Sequence, residues 1–565
     1  MQITFKNEIK SEENISNDEI VDLILKSRQI KNKNEFINPP SPLTLSLNDF
    51  GPYKKSFEKV IKILNEIKEK KQMIVVYTDY DADGITGGAI LWETLYLLGF
   101  KVMPYVPHRK FEGYGFSKKG IDNVKKQFDP VLIISVDHGI TKIEEIKYAK
   151  ELGIKIIITD HHLKGEKLPK TDGTFHIPAL SGSGVAYFFA KEIFSCFAAK
   201  DTNYPQLTTN FSTDYLTLAA IGTIADLVPL TGPSRSVVKY GLEAFSKIKR
   251  FGIKHILKQA GIEDKKITPY EVGFMIAPRI NAIGRLEHAI DALRLLCTND
   301  EKKAYDLSQK IGNINIERQE LVEKSVTEAR KKINDLKLFT NRIIILVSEH
   351  WNEGIIGLIA SKIAEEFYRP TLVLTKTNDH YKGSARSIPS FHITEFLRSL
   401  KKNLIDVGGH KQAAGFTLEK NQLDEFTKNA QKLAEKIIKD KDLEKKIIAD
   451  LKIPISRINL ELVNSIAILE PFGIGNPKPT FYSEGILTGS QLLGKTQKHL
   501  KIFISDLEIN NHKTNYLEFL AFNQADKFKD LFRGQKINVT YLLDINQWNN
   551  KKTVQGKTIF FNLIK

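Results

Sequence analysis

The sequence predicts an α/β protein with three parts: a parallel-sheet domain, a smaller α/β domain joined to it by a long helix, and a C-terminal β-barrel. Three apolar segments alternate with helical segments between residues 73 and 159, which is the pattern of a parallel sheet. A highly charged helical segment, 311–336, precedes a second set of strands and helices. Five short β-like segments follow residue 480, at the spacing of a small barrel.

We predict four segments in this chain of 565 residues, each marked by a change of pattern. Residues 1–310 form the first domain with an N-terminal extension, 311–340 the connecting helix, 341–446 the second domain and 447–565 the barrel. A prior of about 100–200 residues per domain is consistent with this division. Within the extension, residues 1–70 are polar and are expected to be helical.

The formal net charge of +16 favours a polyanionic partner such as nucleic acid, although a lysine-rich composition alone would give the same charge. The two cysteines, Cys196 and Cys297, lie in unrelated contexts, which argues against a disulfide framework and fits a reducing compartment. The N-terminus has no apolar signal segment, and no apolar run is long enough for a membrane span. We therefore expect a cytoplasmic protein that does not enter a membrane.

The first buried strand is followed by three carboxylates. Residues 73–78 form an apolar run typical of a strand that is covered on both faces. Asp79, Asp81 and Asp83 follow, a glycine then breaks the pattern, and residues 86–98 have helical spacing. Carboxylates this close repel one another unless a cation neutralises them. The segment indicates either a divalent-metal site or an acidic turn at the surface.

Two further apolar strands end in the same way. Residues 131–136 lead into Asp137-His138-Gly139, and residues 154–159 lead into Asp160-His161-His162. Right-handed crossovers place the ends of parallel strands on one edge of the sheet, so three acidic ends favour a metal site over surface turns. Mixed carboxylate and imidazole ligands suit Mn²⁺ or Mg²⁺ better than a structural zinc.

The segments between these strands supply further candidates. A short strand at 101–107 precedes Arg109 and a turn-rich stretch that contains Tyr114. Residues 117–127 are expected to be a helix with Ser117 as its N-cap, and residues 141–152 a second, amphipathic helix.

Residues 180–230 and the region that follows are expected to be helical. Asp226 interrupts an apolar helix end, and a buried lone carboxylate is costly unless it is paired or on a metal. We interpret it as a further metal ligand, with a helix cap or an ion pair as the alternative. Arg279, Asn281 and Arg285 either bind phosphate or form surface ion pairs.

In the second domain we predict a strand at 343–347, a helix at 354–367 and a strand at 371–374. Ser384 and Arg386 lie near a glycine-rich turn and suit phosphate binding. The segment 407–416 either belongs to that site or is a plain loop that leads into a basic helix.

Five β-like runs then suggest an OB-fold that stacks single-stranded bases on aromatic side chains, although each ring taken singly fits a barrel core equally well. The runs are 484–495, 498–505, 516–522, 536–543 and 553–562, and the aromatic residues are Phe481, Tyr482, Phe503, Phe519 and Trp548.

These motifs together resemble a known family. DYDADG, the Asp137-His138 pair, Asp160-His161-His162 and Asp226 are similar to the four motifs of DHH phosphoesterases. GSARS and GGHKQAAGF resemble the associated DHHA1 domain, and APRINAIGR, GSARSIPSFH and LEPFGIGNPKP resemble the RecJ family of single-strand-specific 5′ exonucleases. The resemblance runs from about residue 70 to the C-terminus and has the motifs in the family order.

The resemblance implies two divalent ions, Mn²⁺ or Mg²⁺, and a set of catalytic residues around them. Asp79 would bind a metal directly or through water, Asp160 would orient the histidines, and His162 would meet the scissile phosphate. The implied metal ligands are Asp81, Asp83, Asp137, His161 and Asp226.

The resemblance also implies a substrate, single-stranded DNA with a free 5′ end, and partners such as a single-strand-binding protein and a helicase. His410 would lie near the reacting phosphate. The other implied contacts to the 5′-phosphate and the DNA backbone are Arg109, Tyr114, Arg279, Asn281, Arg285, Ser384, Arg386 and Gly409.

Two positions depart from the family pattern. Tyr77 stands where these enzymes often carry a histidine, which predicts a looser shell for one metal. Asn352 stands where the family's WHEG pattern has histidine.

Three functions are compatible with these residues. The first is a hydrolytic 5′-to-3′ exonuclease that releases 5′-mononucleotides in DNA repair and recombination. The second is a phosphoesterase for small substrates, which would not require the barrel, and the third is a noncatalytic DNA-binding scaffold, against which the complete acid and histidine set argues.

Overall fold

The computed structural model describes residues 2–10, 13–113, 115–198, 205–377, 379–506, 516–549 and 551–564. Its strands form three sheets, two of five strands and one of seven, which correspond to the three predicted parts. The predicted α/β class with a C-terminal barrel is confirmed. Within the described ranges, no helix combines the length and the apolar surface that crossing a membrane requires.

The first domain is built on a five-stranded sheet in which all neighbouring strands are parallel. The three strands predicted from apolar runs lie side by side and are almost fully buried, as expected for strands covered by helices on both faces. The fifth strand, with the sequence GTFH, was not predicted because it has no apolar run. The strand order is Val102–Tyr105, Ile74–Thr78, Leu132–Val136, Lys155–Asp160 and Gly173–His176.

Helices cover both faces of this sheet and continue beyond it. Side chains alternate along the strands, so Val76 packs in the larger core and Tyr77 in the smaller core on the opposite face. The predicted N-cap Ser117 is confirmed, because its hydroxyl accepts the Gly120 N–H. The helices are Lys54–Glu69, Ala82–Leu97, Arg109–Glu112, Lys118–Phe128, Ile143–Glu151, Gly182–Ala198, Pro205–Ser212, Asp214–Ala225, Gly232–Ala244, Phe251–Gln259, Pro269–Glu271, Ala277–Leu286 and Ile290–Cys297.

The helix after the first strand begins earlier than predicted. It starts at Ala82, so the predicted start at residue 86 and the break at Gly84 were wrong. The side chain of Asp81 caps the helix by accepting the N–H groups of Asp83 and Gly84. Gly84 is required because a Cβ there would lie 2.8 Å from the backbone of Asp79. The acidic motif is therefore the N-terminal cap of a helix that packs on the sheet.

A long helix, Glu301–Asp335, leads into the second domain and begins ten residues before the predicted segment. The second sheet pairs Ile344–Ser348 in parallel with its neighbour and is otherwise antiparallel. The turn predicted near residue 384 was wrong, and the plain-loop alternative for 407–416 is excluded, because these glycine-rich segments are strands. The strands are ordered Asp406–His410, Ala413–Glu419, His380–Arg386, Thr371–Lys376 and Ile344–Ser348, and the helices are Ile356–Phe367, Ile393–Ser399 and Leu423–Ile437.

The C-terminal part is a closed five-stranded barrel preceded by the helix Leu460–Ala467. All five predicted runs are strands, and the barrel closes because the first strand pairs with both the second and the fourth. The strands are Thr480–Leu493, His499–Ser505, Tyr516–Ala521, Lys536–Trp548 and Lys551–Leu563.

The N-terminal extension is attached to the barrel. Gln2–Glu8 is a strand parallel to Lys446–Lys452, which in turn pairs with the first barrel strand. The helix Asn17–Ser27 packs into the barrel core, and the short helix Lys33–Ile37 follows it. The expected helical structure is therefore wrong for Gln2–Glu8, because the strand's partner is more than 400 positions away and leaves no local signal.

The predicted barrel aromatics are mainly core residues. Phe481, Tyr482 and Phe519 are buried, so the core interpretation holds for them. The side chain of Trp548 lies outside the part that is described. Among the barrel side chains that are described, Tyr516, Phe522 and Phe532 are the most exposed rings, and they lie near strand ends and loops.

Candidate active site and metal centre

The carboxyl ends of the central strands meet at one point on the edge of the first sheet. The Nε2 atom of His161 lies 3.1 Å from Oδ1 of Asp137, which follows the neighbouring strand. The same nitrogen lies 3.4 Å from Oδ2 of Asp226 and 3.9 Å from Oδ2 of Asp83. Four separate segments of the chain thus contribute side chains to one cluster.

Seven of the predicted catalytic residues form three overlapping groups in which the potential ligand atoms lie within 4.8 Å of one another. Two of these groups share no residue, so the described residues offer two adjacent places for a cation. Asp160 is the one predicted catalytic residue outside them. The groups are Asp79-Asp81-Asp137, Asp83-His161-Asp226 and Asp137-His161-His162.

Asp83 is held by the N-terminus of the helix Gly182–Ala198. Its two carboxylate oxygens accept the N–H groups of Gly182, at 2.6 Å, and of Ser183, at 2.9 Å. Gly182 must be glycine here, because a Cβ would lie 2.4 Å from Oδ1 of Asp137. A Cβ at Gly222 would lie 2.4 Å from Oδ1 of Asp83. Glycines therefore allow two helices to approach the carboxylates closely.

The cluster is electrostatically unfavourable without a cation. Burial, reinforced by the charge of Asp81, raises the pKa of Asp79 well above its usual value. Burial and the charge of Asp83 likewise raise the pKa of Asp137 well above its usual value. The same two causes raise the pKa of Asp226 to about 8. Several carboxylates thus resist ionising together, and a nearby divalent cation reverses that preference.

The donor set fits Mn²⁺ or Mg²⁺. Asp79 is buried, and neither of its carboxylate oxygens accepts a hydrogen bond from a described residue. Hard carboxylate oxygens with one or two imidazoles are the ligands that these ions accept, whereas a structural zinc site would use cysteine. The residues present therefore suit the metals implied by the sequence.

Asp160 and His162 form a hydrogen-bonded pair beside the metal groups. Oδ1 of Asp160 lies 2.8 Å from Nδ1 of His162 and accepts the N–H groups of His161 and His162, while Oδ2 accepts the Ile140 N–H. Burial lowers the pKa of His162, but the hydrogen bond and charge of Asp160 outweigh it and raise the pKa to about 9. With its acceptors engaged, Asp160 is placed to orient His162 rather than to bind a metal.

His138 and Tyr77 face away from the cluster. Nε2 of His138 lies 3.1 Å from the carbonyl oxygen of Tyr77, and its ring packs edge-on against Phe116. Burial lowers the pKa of His138 to about 4, so this histidine is neutral. The Tyr77 hydroxyl donates to the Gly115 carbonyl, at 3.3 Å, within the smaller core. Tyr77 therefore occupies a packing position in this chain.

A cluster of arginines lies between the first and second domains. Burial, reinforced by the charges of Arg109, Arg318 and Arg386, lowers the pKa of Arg285 to about 10. Arg285 donates to the carbonyl of Gly354 in the second domain, at 3.1 Å. Cations gathered in this way suit a bound phosphate, which would neutralise them.

The second domain completes this cluster. Nη1 of Arg386 donates to the hydroxyl of Ser384, at 3.2 Å, on the same strand. A Cβ on Gly357, in the first turn of the helix Ile356–Phe367, would lie 3.0 Å from both side chains, so the helix N-terminus adjoins the pair. Asn352 accepts the Gly354 N–H, at 2.8 Å, and shapes the turn before that helix.

The remaining predicted contacts are placed as follows. Asn281 is a positioning residue for the acidic motif, because its Oδ1 accepts the Ala82 N–H, at 2.7 Å. His410 is near the acid and histidine cluster, since burial and then the charge of His162 lower the pKa of His410. Gly409 leaves no room for a side chain, because a Cβ would lie 2.3 Å from a carbonyl oxygen. Tyr114 lies outside the described residues.

Sequence reasoning missed one arginine. Arg318, on the connecting helix, is half-buried, and burial followed by the charge of Arg279 lowers its pKa. Arg279 itself donates to the carbonyl of Met275, at 2.5 Å. The signal was hidden because Arg318 lies in a long charged helix where an arginine is unremarkable by composition.

Three family models match the chain in the order of its domains. The DHH family N-terminal domain matches residues 73–223, the DHHA1 domain residues 338–436, and the RecJ OB domain residues 449–558. The precise boundaries of the four segments stay a prediction.

The chain is also similar to curated proteins over most of its length. It is 33% identical over 519 residues to the single-stranded-DNA-specific exonuclease RecJ of Bacillus subtilis. The alignment covers 90% of this chain and 63% of that relative. The chain is 32% identical over 503 residues to RecJ of Thermus thermophilus, covering 88% of this chain and 69% of the relative. The chain thus spans just under two thirds of the Bacillus protein's length.

Solved structures agree with these matches. The crystal structure of Thermus thermophilus RecJ in complex with Mn²⁺ superposes with a TM-score of 0.81 at 27% identity and covers 100% of this chain and 80% of that one. The complex of the same protein with Mg²⁺ gives a TM-score of 0.72 at 25% identity, covering 100% and 79% of the two chains. From its motifs, its domains and these relatives, this chain belongs to the RecJ family of single-stranded-DNA-specific exonucleases.

Proposed function

We propose that this chain is a metal-dependent exonuclease that degrades single-stranded DNA from its 5′ end and releases 5′-mononucleotides. One observation carries the proposal: two adjacent groups of acids and histidines lie next to a cluster of arginines from two domains, where Asp79 feels the charge of Arg109 and Arg285 feels that of Asp81. We place this activity in DNA repair and recombination in the cytoplasm.

The proposed roles follow from the geometry. Asp81, Asp83, Asp137, His161 and Asp226 would hold two divalent ions, Mn²⁺ or Mg²⁺, with Asp79 beside them. Two such ions activate a water molecule and stabilise the leaving oxygen of a phosphodiester.

Asp160 fixes the ring of His162, whose Nδ1 lies 2.8 Å from Oδ1 of Asp160, so we assign His162 to a hydrogen bond with the reacting phosphate. Arg109, Arg386 and Ser384 bind the terminal 5′-phosphate, and Arg279, Asn281 and Arg285 lie on the segment beside it. We assign His410, Gly409 and Tyr114 to the same substrate path. Binding of the terminal phosphate sets both the 5′ polarity and the length of the released product.

Duplex DNA must be opened before its 5′ strand enters such a cleft. We therefore propose that a helicase and a single-strand-binding protein supply the substrate. A phosphoesterase for small substrates could use the same acid and histidine cluster, but it would not require the barrel.

The test is a time course with Mn²⁺ or Mg²⁺ on single and double strands labelled at the 5′ or the 3′ end. The expected result is early release of a labelled mononucleotide from 5′-labelled single strands and slow loss of the 3′ label. Early release of the 3′ label, or equal attack on blunt duplex, would reject the proposal.

A further inference from the structure

Two aromatic side chains on the first domain are exposed without a packing role. Tyr270 and Phe274 are 62% and 69% exposed, and their ring centroids lie 4.8 Å apart. Single exposed apolar residues are common, but two large exposed rings in contact, tilted by 30°, form an apolar surface that can bind a ligand. We call these two residues the aromatic pair.

The segment that carries the aromatic pair packs against the helix Asp214–Ala225, whose C-cap is Asp226. A Cβ on Gly273, which directly precedes Phe274, would lie 3.9 Å from Cγ2 of Ile224 on that helix. Phe274 also lies within a π-helical turn, Val272–Ile276, which leads directly into the helix Ala277–Leu286. Such turns are rare and occur often at functional sites.

One continuous helical segment therefore connects the aromatic pair to the cluster of arginines that we assign to the 5′-phosphate. Along it, Asn281 binds the acidic motif and Arg285 reaches the second domain. Phe274 and Arg285 are separated by eleven positions, or about 16 Å along a helix. That distance corresponds to about three to five nucleotides of a single strand.

Tyr270 also faces the barrel. It lines a groove of about 1180 Å³ that Phe472 and Lys478 border from the barrel side. The groove carries both signs of charge, and two of its lysines are paired: Lys266 lies 3.4 Å from Glu470, and Lys478 lies 3.7 Å from Asp544. What the groove offers a strand that runs from the metal cluster to the barrel is therefore the exposed ring of Tyr270 rather than a net positive charge.

We propose that Tyr270 and Phe274 form a stacking platform for unpaired bases a few nucleotides downstream of the 5′ end. Aromatic rings accept any base, because every base has a flat π face, so this contact adds affinity without sequence preference. It also requires unpaired bases and therefore disfavours duplex. The inference rests on the proposed function and adds a contact that lies away from the metal groups.

The test combines Phe274→Ala with strands that lack one base. Release of the first nucleotide is measured on 5′-phosphorylated strands that carry a single abasic site at successive positions. In the unmodified protein, an abasic site at the platform position should raise KM about 5- to 100-fold. Phe274→Ala should raise KM similarly on intact strands, and the same abasic site should then add less than about twofold.

Matched variants separate stacking from a general loss of structure. Phe274→Trp keeps a ring and should restore both KM and the abasic penalty. Tyr96→Ala removes another exposed ring of the same domain, 58% exposed and stacked on Trp92, and should change neither.

An abasic penalty of full size in Phe274→Ala would overturn the platform, as would the same loss of penalty in Tyr96→Ala. A protein that releases no nucleotide from any strand would instead contradict the proposed function. The two failures are therefore distinguishable.

Discussion

The Nε2 atom of His161 lies 3.1 Å from Oδ1 of Asp137, and these residues follow two adjacent parallel strands. Parallel pairing brings both strand ends to one edge, and the contact exists because neither strand continues beyond that point. Nearby carboxylates make this edge of the sheet an anionic site. Their negative charges repel one another unless cations neutralise them.

We predict that Asp137→Asn makes the metal-free protein more stable and weakens its response to metal. Burial and Asp83 raise the pKa of Asp137, so a neutral side chain of the same shape relieves repulsion. Thermal melts in a chelator should show a higher Tm than wild type. The stabilisation by Mn²⁺, roughly 2.7 kcal/mol per site at 100 times its Kd, should become smaller but not vanish, because the group Asp83-His161-Asp226 still offers a site. Nuclease activity should fall about 10- to 100-fold.

Asp264→Asn, a change to an exposed residue, serves as the control and should alter neither melt. A Mn²⁺-induced rise in Tm in Asp137→Asn that equals the rise in wild type would contradict the assignment of Asp137 as a ligand.

For Asp160→Asn we predict a different signature. Asp160 accepts the N–H groups of Ile140, His161 and His162 and lies 2.8 Å from Nδ1 of His162. An amide cannot accept all of these bonds, so the orientation and charge of His162 are lost. We expect kcat to fall about 10- to 100-fold while the Mn²⁺ affinity, measured by titration calorimetry, stays close to wild type. A large loss of Mn²⁺ affinity would instead make Asp160 a ligand.

Sequence patterns predicted the convergence of the catalytic residues because each strand signal is local. Apolar runs identify the strands, parallel pairing follows from the helices between them, and Asp137 and His161 then share an edge by geometry alone. The same logic could not tell which side of the chain each residue faces. His138 and His161 both follow an acid at the end of a strand, and periodicity alone does not separate them. The backbone of Asp137 is left-handed, and the ring of His138 packs on the side of the sheet away from the cluster.

Long-range contacts were beyond sequence reasoning. The strand Gln2–Glu8 is recognisable only through its partner near residue 450. Arg318 becomes a candidate for phosphate binding only because its helix passes Arg279 in the fold. Glycine-rich strands such as Asp406–His410 lack the alternation that reveals a strand, so they resembled loops. Gly182 and Gly222 were missed because close approach to a carboxylate leaves no trace in a single sequence.

Gly182→Ala tests that close approach. The added Cβ would lie 2.4 Å from Oδ1 of Asp137, so either the helix or the carboxylate must move. We predict about a 10- to 100-fold loss of activity, of the order expected when a group that orients a ligand is displaced, with the circular dichroism spectrum unchanged. Gly184→Ala on the same helix is the matched control, since its Cβ would approach no atom closer than 3.3 Å. Equal activity in the two variants would show that Asp137 tolerates displacement.

Arg386→Ala should abolish the preference for a 5′-phosphate. Its guanidinium donates to Ser384, and its charge belongs to the cluster around Arg285. Loss of charge-assisted hydrogen bonds should raise KM for 5′-phosphorylated strands about 10- to 100-fold and leave KM for 5′-hydroxyl strands nearly unchanged. Arg398→Ala, which removes an exposed arginine from the same domain, should preserve the preference. Equal KM increases on both substrates would assign Arg386 to the DNA backbone instead.

Arg235 connects the catalytic domain to the barrel. Its loss should slow the degradation of long strands, which reach the barrel, more than that of short oligonucleotides. It is 1% exposed and donates to the carbonyl oxygens of Leu469, Glu470 and Pro471, in the motif LEPFGIGNP, and to that of Phe36. Arg235→Ala leaves these buried carbonyls without a donor, so we predict a loss of about 3 kcal/mol or more in the free energy of unfolding. Because the barrel is then held less firmly, degradation of long strands should slow more than degradation of short oligonucleotides. Urea unfolding and rates on both substrates measure the two effects, with exposed Arg533→Ala as the control. An unchanged ratio of the two rates would mean that the barrel's placement does not depend on this arginine.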